Sequence, residues 1–110
     1  MSEKLSSNTF KRFEHALQGD DPKDYIFIET GSWMGQGIEA AQKVGFDKIY
    51  SIELSEKYWN ICNDKFSSDK NVTCMFGDSS KVLPSLIMNI DKKIFFYLEK
   101  NILKMVMFTH

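Results

Sequence analysis

Apolar and polar positions along the chain switch repeatedly between two periods, and the switching predicts helices and strands in alternation. From Thr9 to Gln18 the apolar Phe10, Phe13, Ala16 and Leu17 recur at spacings of three and four, which places them on one face of a short helix. Gly19 and the following Asp-Asp-Pro stop it. Residues 1 to 7 carry no such stripe and read as frayed. Tyr25 to Glu29 is apolar on both faces, the pattern of a strand buried between two helical layers. A break follows, Gly31-Ser-Trp-Met-Gly35-Gln-Gly37, and then Ile38, Ala41 and Val44 mark the inner side of a helix that ends at Gly45. Lys43 sits in its last turn, where a cation suits the helix dipole.

The same order recurs downstream. Lys48 to Leu54 reads as a second strand, and Ser55 as the cap of a second helix with Tyr58, Ile61, Cys62 and Phe66 inward. Asn71 to Phe76 predicts a third strand, closed by the turn Gly77-Asp78-Ser79-Ser80 with its ready capping residues. Val82, Leu83, Leu86, Ile87 and Ile90 form a further helical stripe. Pro84 lies within it, so the helix either begins there or bends near its start. Lys93 to Glu99 is the fourth strand, and residues 99–110 show no clean period.

Strands and helices alternating with short links predict an α/β fold with right-handed crossovers and a parallel sheet of about four strands, ordered 3-2-1-4. The first two crossover helices belong on one face and the third on the other. A crevice is expected where the order reverses, at the carboxyl end of strand 1. Glu29, Glu53 and Asp78, the acids that close three strands, would stand on its rim. The organisation is one domain, with residues 1–24 a tail and helix, 25–98 the core and 99–110 a divergent tail.

Composition narrows the partners. The 110 residues carry 14 basic and 15 acidic side chains for a net charge of -1, with 43% apolar and 26% charged residues, as in a soluble globular domain. Neither a nucleic-acid backbone nor an anionic membrane is favoured by that balance, so a small molecule is the expected partner. No run of about 18 apolar residues is present, the amino-terminal segment is polar, and a cytoplasmic location is expected. Cys62 and Cys74 lack metal or redox spacing and read as small core residues, while His15 and His110 are too isolated to imply a metal or a triad.

The glycine break carries the chemistry. Glycines allow positive φ and close backbone approach, and a helix start offers free N–H groups. Glu53 lies about 20 positions beyond the turn, where an acid takes the hydroxyls of a ribose. The loop reads E-x-G-x-x-x-G from Glu29 rather than GxGxxG, and a carboxylate at its head would repel a pyrophosphate and welcome an ammonium.

With these residues the chain resembles the class I S-adenosylmethionine-dependent methyltransferases, particularly small members with an ETG-x-x-x-G-x-G loop. The resemblance spans residues 25–98 and implies a Rossmann-like three-layer fold. It implies that Glu29, Gly31, Ser32, Trp33 and Gly35 cradle the methionine part of S-adenosylmethionine, with Trp33 standing where the family has its middle glycine. Glu53 matches the ribose acid, Leu54 the residue packed on adenine, and Asp78 and Ser79 the acceptor and backbone donor for the adenine edge. Other readings stay open: Glu53 as a solvated helix entrance, Asp78 as a plain cap, and Trp33 and Tyr97 as core closure.

Relatives of this kind carry about seven strands, whereas this chain runs only about a dozen residues past strand 4. The expectation is a carboxy-terminally truncated, cofactor-binding half. Strand 4 would then form an open edge inviting a second copy or a partner chain. The acceptor is unidentified, and Glu99 is the one candidate for a catalytic base, with a solvated strand-end charge as its alternative. Two rival functions are a non-catalytic binding module and an NAD-dependent oxidoreductase.

Overall fold

Strand β1, Tyr25–Thr30, is the axis of the structure. It is buried on both faces from Tyr25 through Glu29 and lies between β2 (Lys48–Glu53) and β4 (Lys93–Leu98), parallel to both. The computed structural model describes the backbone of residues 2–105 and the side chains of 7–104, so the expectations for Met1, His110 and residues 106–110 lie outside the described residues. With β3 (Val72–Phe76) beyond β2, and β5 (Asn101–Met105) beyond β4, the sheet is ordered β3-β2-β1-β4-β5. Four strands are parallel in the expected order, and the fifth is antiparallel.

Helices α1 (Ser2–Leu17), α2 (Gln36–Val44) and α3 (Glu56–Lys65) cover one face; α4 (Ser79–Met88) packs on the other. Alternate strand residues serve the two layers, as the period of two requires. Tyr25, Phe27, Ile49, Phe95 and Tyr97 meet α1 to α3, whereas Ile26, Ile28, Ile52, Ile94 and Phe96 meet α4. Phe13 of α1 is the centre of the first layer, with ring centroids 5.3 Å from Phe27, 5.3 Å from Phe95 and 4.9 Å from Tyr97. Burying such rings contributes both apolar area and edge-to-face contacts.

Local chemistry sets the helix ends. Gly45 adopts φ 95° and returns its N–H to the Ala41 carbonyl, and Ser55 Oγ accepts from the Tyr58 N–H at 3.5 Å. Asp78 caps α4 through the Ser80 N–H at 2.9 Å, so that helix starts at Ser79. Pro84 is therefore interior, and of the two placements open for it the one at the helix start does not occur. At the other end of the chain, α1 begins at Ser2 rather than Thr9. Residues ahead of Thr9 have no apolar stripe to announce a helix, yet the backbone continues the one that Phe10 and Phe13 anchor.

β5 is the main departure. Strand 4 is not an open edge, because Leu98 pairs with Asn101 and the chain turns straight back on itself. Glu99 and Lys100 form the two-residue turn at φ 50° and 67°, the double positive φ that a type I′ hairpin needs. Neither residue is the Asn or Gly usual there, and each left-handed non-glycine costs about 1 kcal/mol. Substituting Asn for Glu99 together with Gly for Lys100 is expected to stabilise the protein by about 1–2 kcal/mol in denaturant unfolding. No gain would mean that the turn is held without strain.

Lys104 of β5 ties the hairpin to α1. Its Nζ donates to the Leu17 carbonyl at 3.1 Å and to Asp20 Oδ2 at 3.0 Å, a cation at a helix carboxyl end. Asp20 Oδ2 also accepts from the Tyr25 hydroxyl at 2.6 Å. The divergent tail thus starts as an ordered strand integrated with the first helix.

Candidate functional site

A cavity of about 800 Å³ opens across the carboxyl ends of β1, β2, β3 and β4, within the range of small-molecule sites. Glu29, Gly31, Ser32, Trp33, Glu53, Leu54, Asp78, Ser79 and Glu99 all line it. Gly35 does not. A Cβ there would lie 2.7 Å from the Phe66 ring, so this glycine faces the core.

Glu29 forms the floor. It is 1% exposed, and its Oε2 accepts from Ser51 Oγ at 2.5 Å, which in turn meets Ser32 Oγ at 2.5 Å. Gly37, in the first turn of α2, lies against the same carboxyl, and a Cβ on it would overlap Glu29 Oε1. Burial pushes the Glu29 carboxyl up to about 8, against the opposing pull of the Ser51 hydrogen bond and with a smaller push from Glu53. The carboxyl is therefore mostly protonated at neutral pH. That corrects the electrostatic reading of the loop, since a neutral acid does not repel a phosphate by charge.

Glu53 supplies a carboxylate on the wall. It is 7% exposed and is held by two backbone donors, Trp33 N–H to Oε1 at 3.1 Å and Ser55 N–H to Oε2 at 2.9 Å. Each oxygen keeps acceptor capacity. The side chain fastens the glycine loop to the end of β2, and the Gly31 N–H reinforces that link by donating to the Ile52 carbonyl at 2.8 Å.

Trp33 takes φ 51°, the left-handed region that a glycine would occupy without cost. Its ring is 54% exposed, stands 5.4 Å from Tyr58 and lies under Lys100 Nζ at 5.9 Å, so it forms a wall rather than core. Tyr97 has both roles, packing on Phe13 at 4.9 Å while lining the cavity. Leu54 is 71% exposed at the rim, available to pack on a flat ligand.

Asp78 is indeed a cap. Its Oδ1 accepts from the Ser80 N–H at 2.9 Å and the Ser80 hydroxyl at 2.8 Å, which hold the carboxyl below the usual carboxylate range. Oδ2 makes no hydrogen bond among the described residues and remains for a ligand. Glu99 lies exposed on the turn, its N–H donating to Thr30 Oγ1 at 3.2 Å.

Asn8, Thr9 and Arg12 of α1, with Lys100, close the β4 side of the cavity. Arg12 donates to the Lys100 carbonyl at 3.0 Å and stands 5.8 Å over the Tyr97 ring. Spacing offered no signal for them, because a polar side of an amphipathic helix looks alike whether it meets solvent or a cleft.

Cys62 and Cys74 are free, and burial pushes their thiols up to about 12 and about 11, as suits core packing rather than nucleophiles. Among the described residues no group of three His, Cys, Asp or Glu is arranged to hold a metal ion, and no helix is long and apolar enough to cross a membrane. Set beside known proteins, the chain matches no family model and no curated sequence.

Proposed function

We propose that the chain is the cofactor-binding half of a Rossmann-like, S-adenosylmethionine-dependent methyltransferase acting in the cytoplasm on an unidentified acceptor. The observation that carries the reading is the meeting of Glu29, Glu53 and Asp78 with a left-handed glycine loop in one cavity at the ends of adjacent parallel strands. Such a crevice is where open α/β sheets bind their ligands.

The residues fit the cofactor part by part. Glu53, anchored by two amides, presents its remaining lone pairs to a pair of vicinal hydroxyls. Asp78 Oδ2 and the Ser79 N–H would take a base edge, with Leu54 beside them as the apolar surface. The loop from Gly31 to Trp33 and the Glu29 floor take the amino-acid part. When bound, the cofactor supplies the activated methyl and its own leaving group; the protein holds it and orients the acceptor. Glu99, on the lip near Arg12 and Lys100, is the candidate base for the acceptor's proton.

Titration of S-adenosylhomocysteine tests this. Wild type should bind, and Glu53→Ala should weaken binding roughly 10- to 100-fold, the effect of losing one charge-assisted hydrogen-bonding group. Equal affinity of the two proteins would remove the ribose assignment.

One observation favours a second reading. Because Glu29 is mostly neutral, the loop lacks the fixed charge that argued against a pyrophosphate. NAD titrated in parallel separates an oxidoreductase from a methyltransferase. Binding of S-adenosylhomocysteine with no acceptor ever consumed would instead mark a non-catalytic module.

A further inference from the structure

Charge in the cavity is separated along the strand order. Glu29, Glu53 and Asp78 stand at the ends of β1, β2 and β3, whereas the two cations that line it, Arg12 and Lys100, stand at the β4 end. Neither forms an ion pair among the described residues, although Lys65, Lys92 and Lys104 each meet an acid within 3.3 Å. Arg12 uses one N–H on the Lys100 carbonyl at 3.0 Å and keeps the rest of its planar fork. Lys100 Nζ stands 5.9 Å over the Trp33 ring and makes no hydrogen bond among the described residues. Both cations are held in place. Asn8 and Arg12 are one turn apart on α1, so both reach the cavity while Phe13 on the neighbouring face enters the core. Lys104 fastens that helix to the hairpin, and the Tyr97 ring lies beneath the guanidinium at 5.8 Å.

Resting on the reading of the cavity as a cofactor site, we infer that Arg12 and Lys100 dock the methyl acceptor, and that the acceptor is a small molecule bearing a carboxylate. The base, ribose and amino-acid parts of the cofactor are assigned to the ends of β3, β2 and β1 in that order. The β4 end is the next place along, about 4.8 Å further across the sheet, and it is where Glu99 stands. A guanidinium pairs with a carboxylate through two parallel N–H donors, which fixes orientation as well as charge. Glu99 adjoins Lys100 in the turn and opposes the second negative charge of a phosphate, so a monoanion is favoured. Trp33, half-exposed beneath Lys100, offers a flat wall for the rest of the molecule.

NMR titration of benzoate into the full chain saturated with S-adenosylhomocysteine, followed at the Trp33 indole N–H and the Arg12 Nε–H, tests this. Wild type should bind benzoate about tenfold more tightly than Arg12→Gln, the effect of losing a charge-assisted hydrogen-bonding group. Lys100→Gln should show a smaller loss in the same direction. Benzyl alcohol, the uncharged counterpart, should bind all three proteins alike, and S-adenosylhomocysteine should bind wild type and Arg12→Gln equally. If Arg12→Gln weakens S-adenosylhomocysteine and leaves benzoate unaffected, the cation serves the cofactor's own carboxylate and the inference is overturned. Benzoate binding equally to all three proteins, or more weakly than inorganic phosphate to wild type, overturns it as well. If S-adenosylhomocysteine binds and benzoate does not, the inference alone falls; if S-adenosylhomocysteine does not bind, the cofactor reading falls and takes the acceptor role with it.

Discussion

Alanine at Gly35 is expected to destabilise the protein by about 4 kcal/mol and lower its Tm by about 15 °C. Two costs combine. Gly35 has φ 95°, where an L side chain is strained by about 1–2 kcal/mol. Its added Cβ would also lie 2.7 and 2.9 Å from two carbons of the Phe66 ring and 3.7 Å from Cys62 Sγ. Phe66 is 6% exposed and belongs to the core between α2 and α3, so relief of that overlap requires core movement, at about 1–3 kcal/mol. Urea unfolding measures the loss. Introducing Phe66→Leu into the alanine variant should recover part of it, and strictly additive losses would place the cause elsewhere. Because Gly35 N–H bonds the Ser32 carbonyl and its own carbonyl receives the Glu39 N–H, the variant should also disturb the loop that lines the cavity.

Glu29→Gln should stabilise the ligand-free protein by about 3 kcal/mol at pH 7. In the unfolded chain the carboxyl titrates at its ordinary 4.5; in the fold it titrates at about 8. Below 4.5 both states carry the proton, and the group costs nothing. Between 4.5 and 8 the unfolded state ionises first, so wild-type stability falls by about 1.4 kcal/mol per pH unit, and above 8 it levels off. Glutamine removes the ionisation while its carbonyl still accepts from Ser51. The difference between the two proteins should therefore vanish near pH 4 and widen toward pH 8. Parallel stability curves across that range would show that Glu29 is already charged in the fold. A residue whose natural form lowers stability at working pH is one retained for the site it serves, the trade expected of binding residues.

The sheet's four parallel strands and their order were legible in the chain because each strand is a short apolar run flanked by glycine, capping or acidic residues. β1 and β4 are doubly buried, and that burial erased the alternation in the way anticipated. The same physics hid β5. Its turn is Glu99-Lys100, not Asn-Gly, so nothing local announced a hairpin, and only the pairing with β4 makes the strand. At the site, the acids at strand ends converge because parallel strands bring equivalent ends together. Charge state was not legible: whether Glu29 is an anion depends on its full burial, which comes from the packing of β2, α2 and β4 around it. Gly35 shows the complementary limit. A glycine inside a binding motif was read as facing ligand, yet it accommodates a phenylalanine thirty-odd positions away, a contact no spacing rule contains.

The ties from α1 to the hairpin have a bearing on how the protein is made. Arg12 reaches Lys100 across 88 positions, and Lys104 reaches Leu17 and Asp20 across 87 and 84. These ties close only once β5 has been made, although most of the packing of α1 is against α2 and forms earlier. Until β4 is in place Phe13, fully enclosed in the finished protein, lacks the Phe95 and Tyr97 rings that complete its packing. Closure across so long a span favours late docking of the hairpin onto α1 and slow maturation, so this chain should lean on holdase chaperones during synthesis.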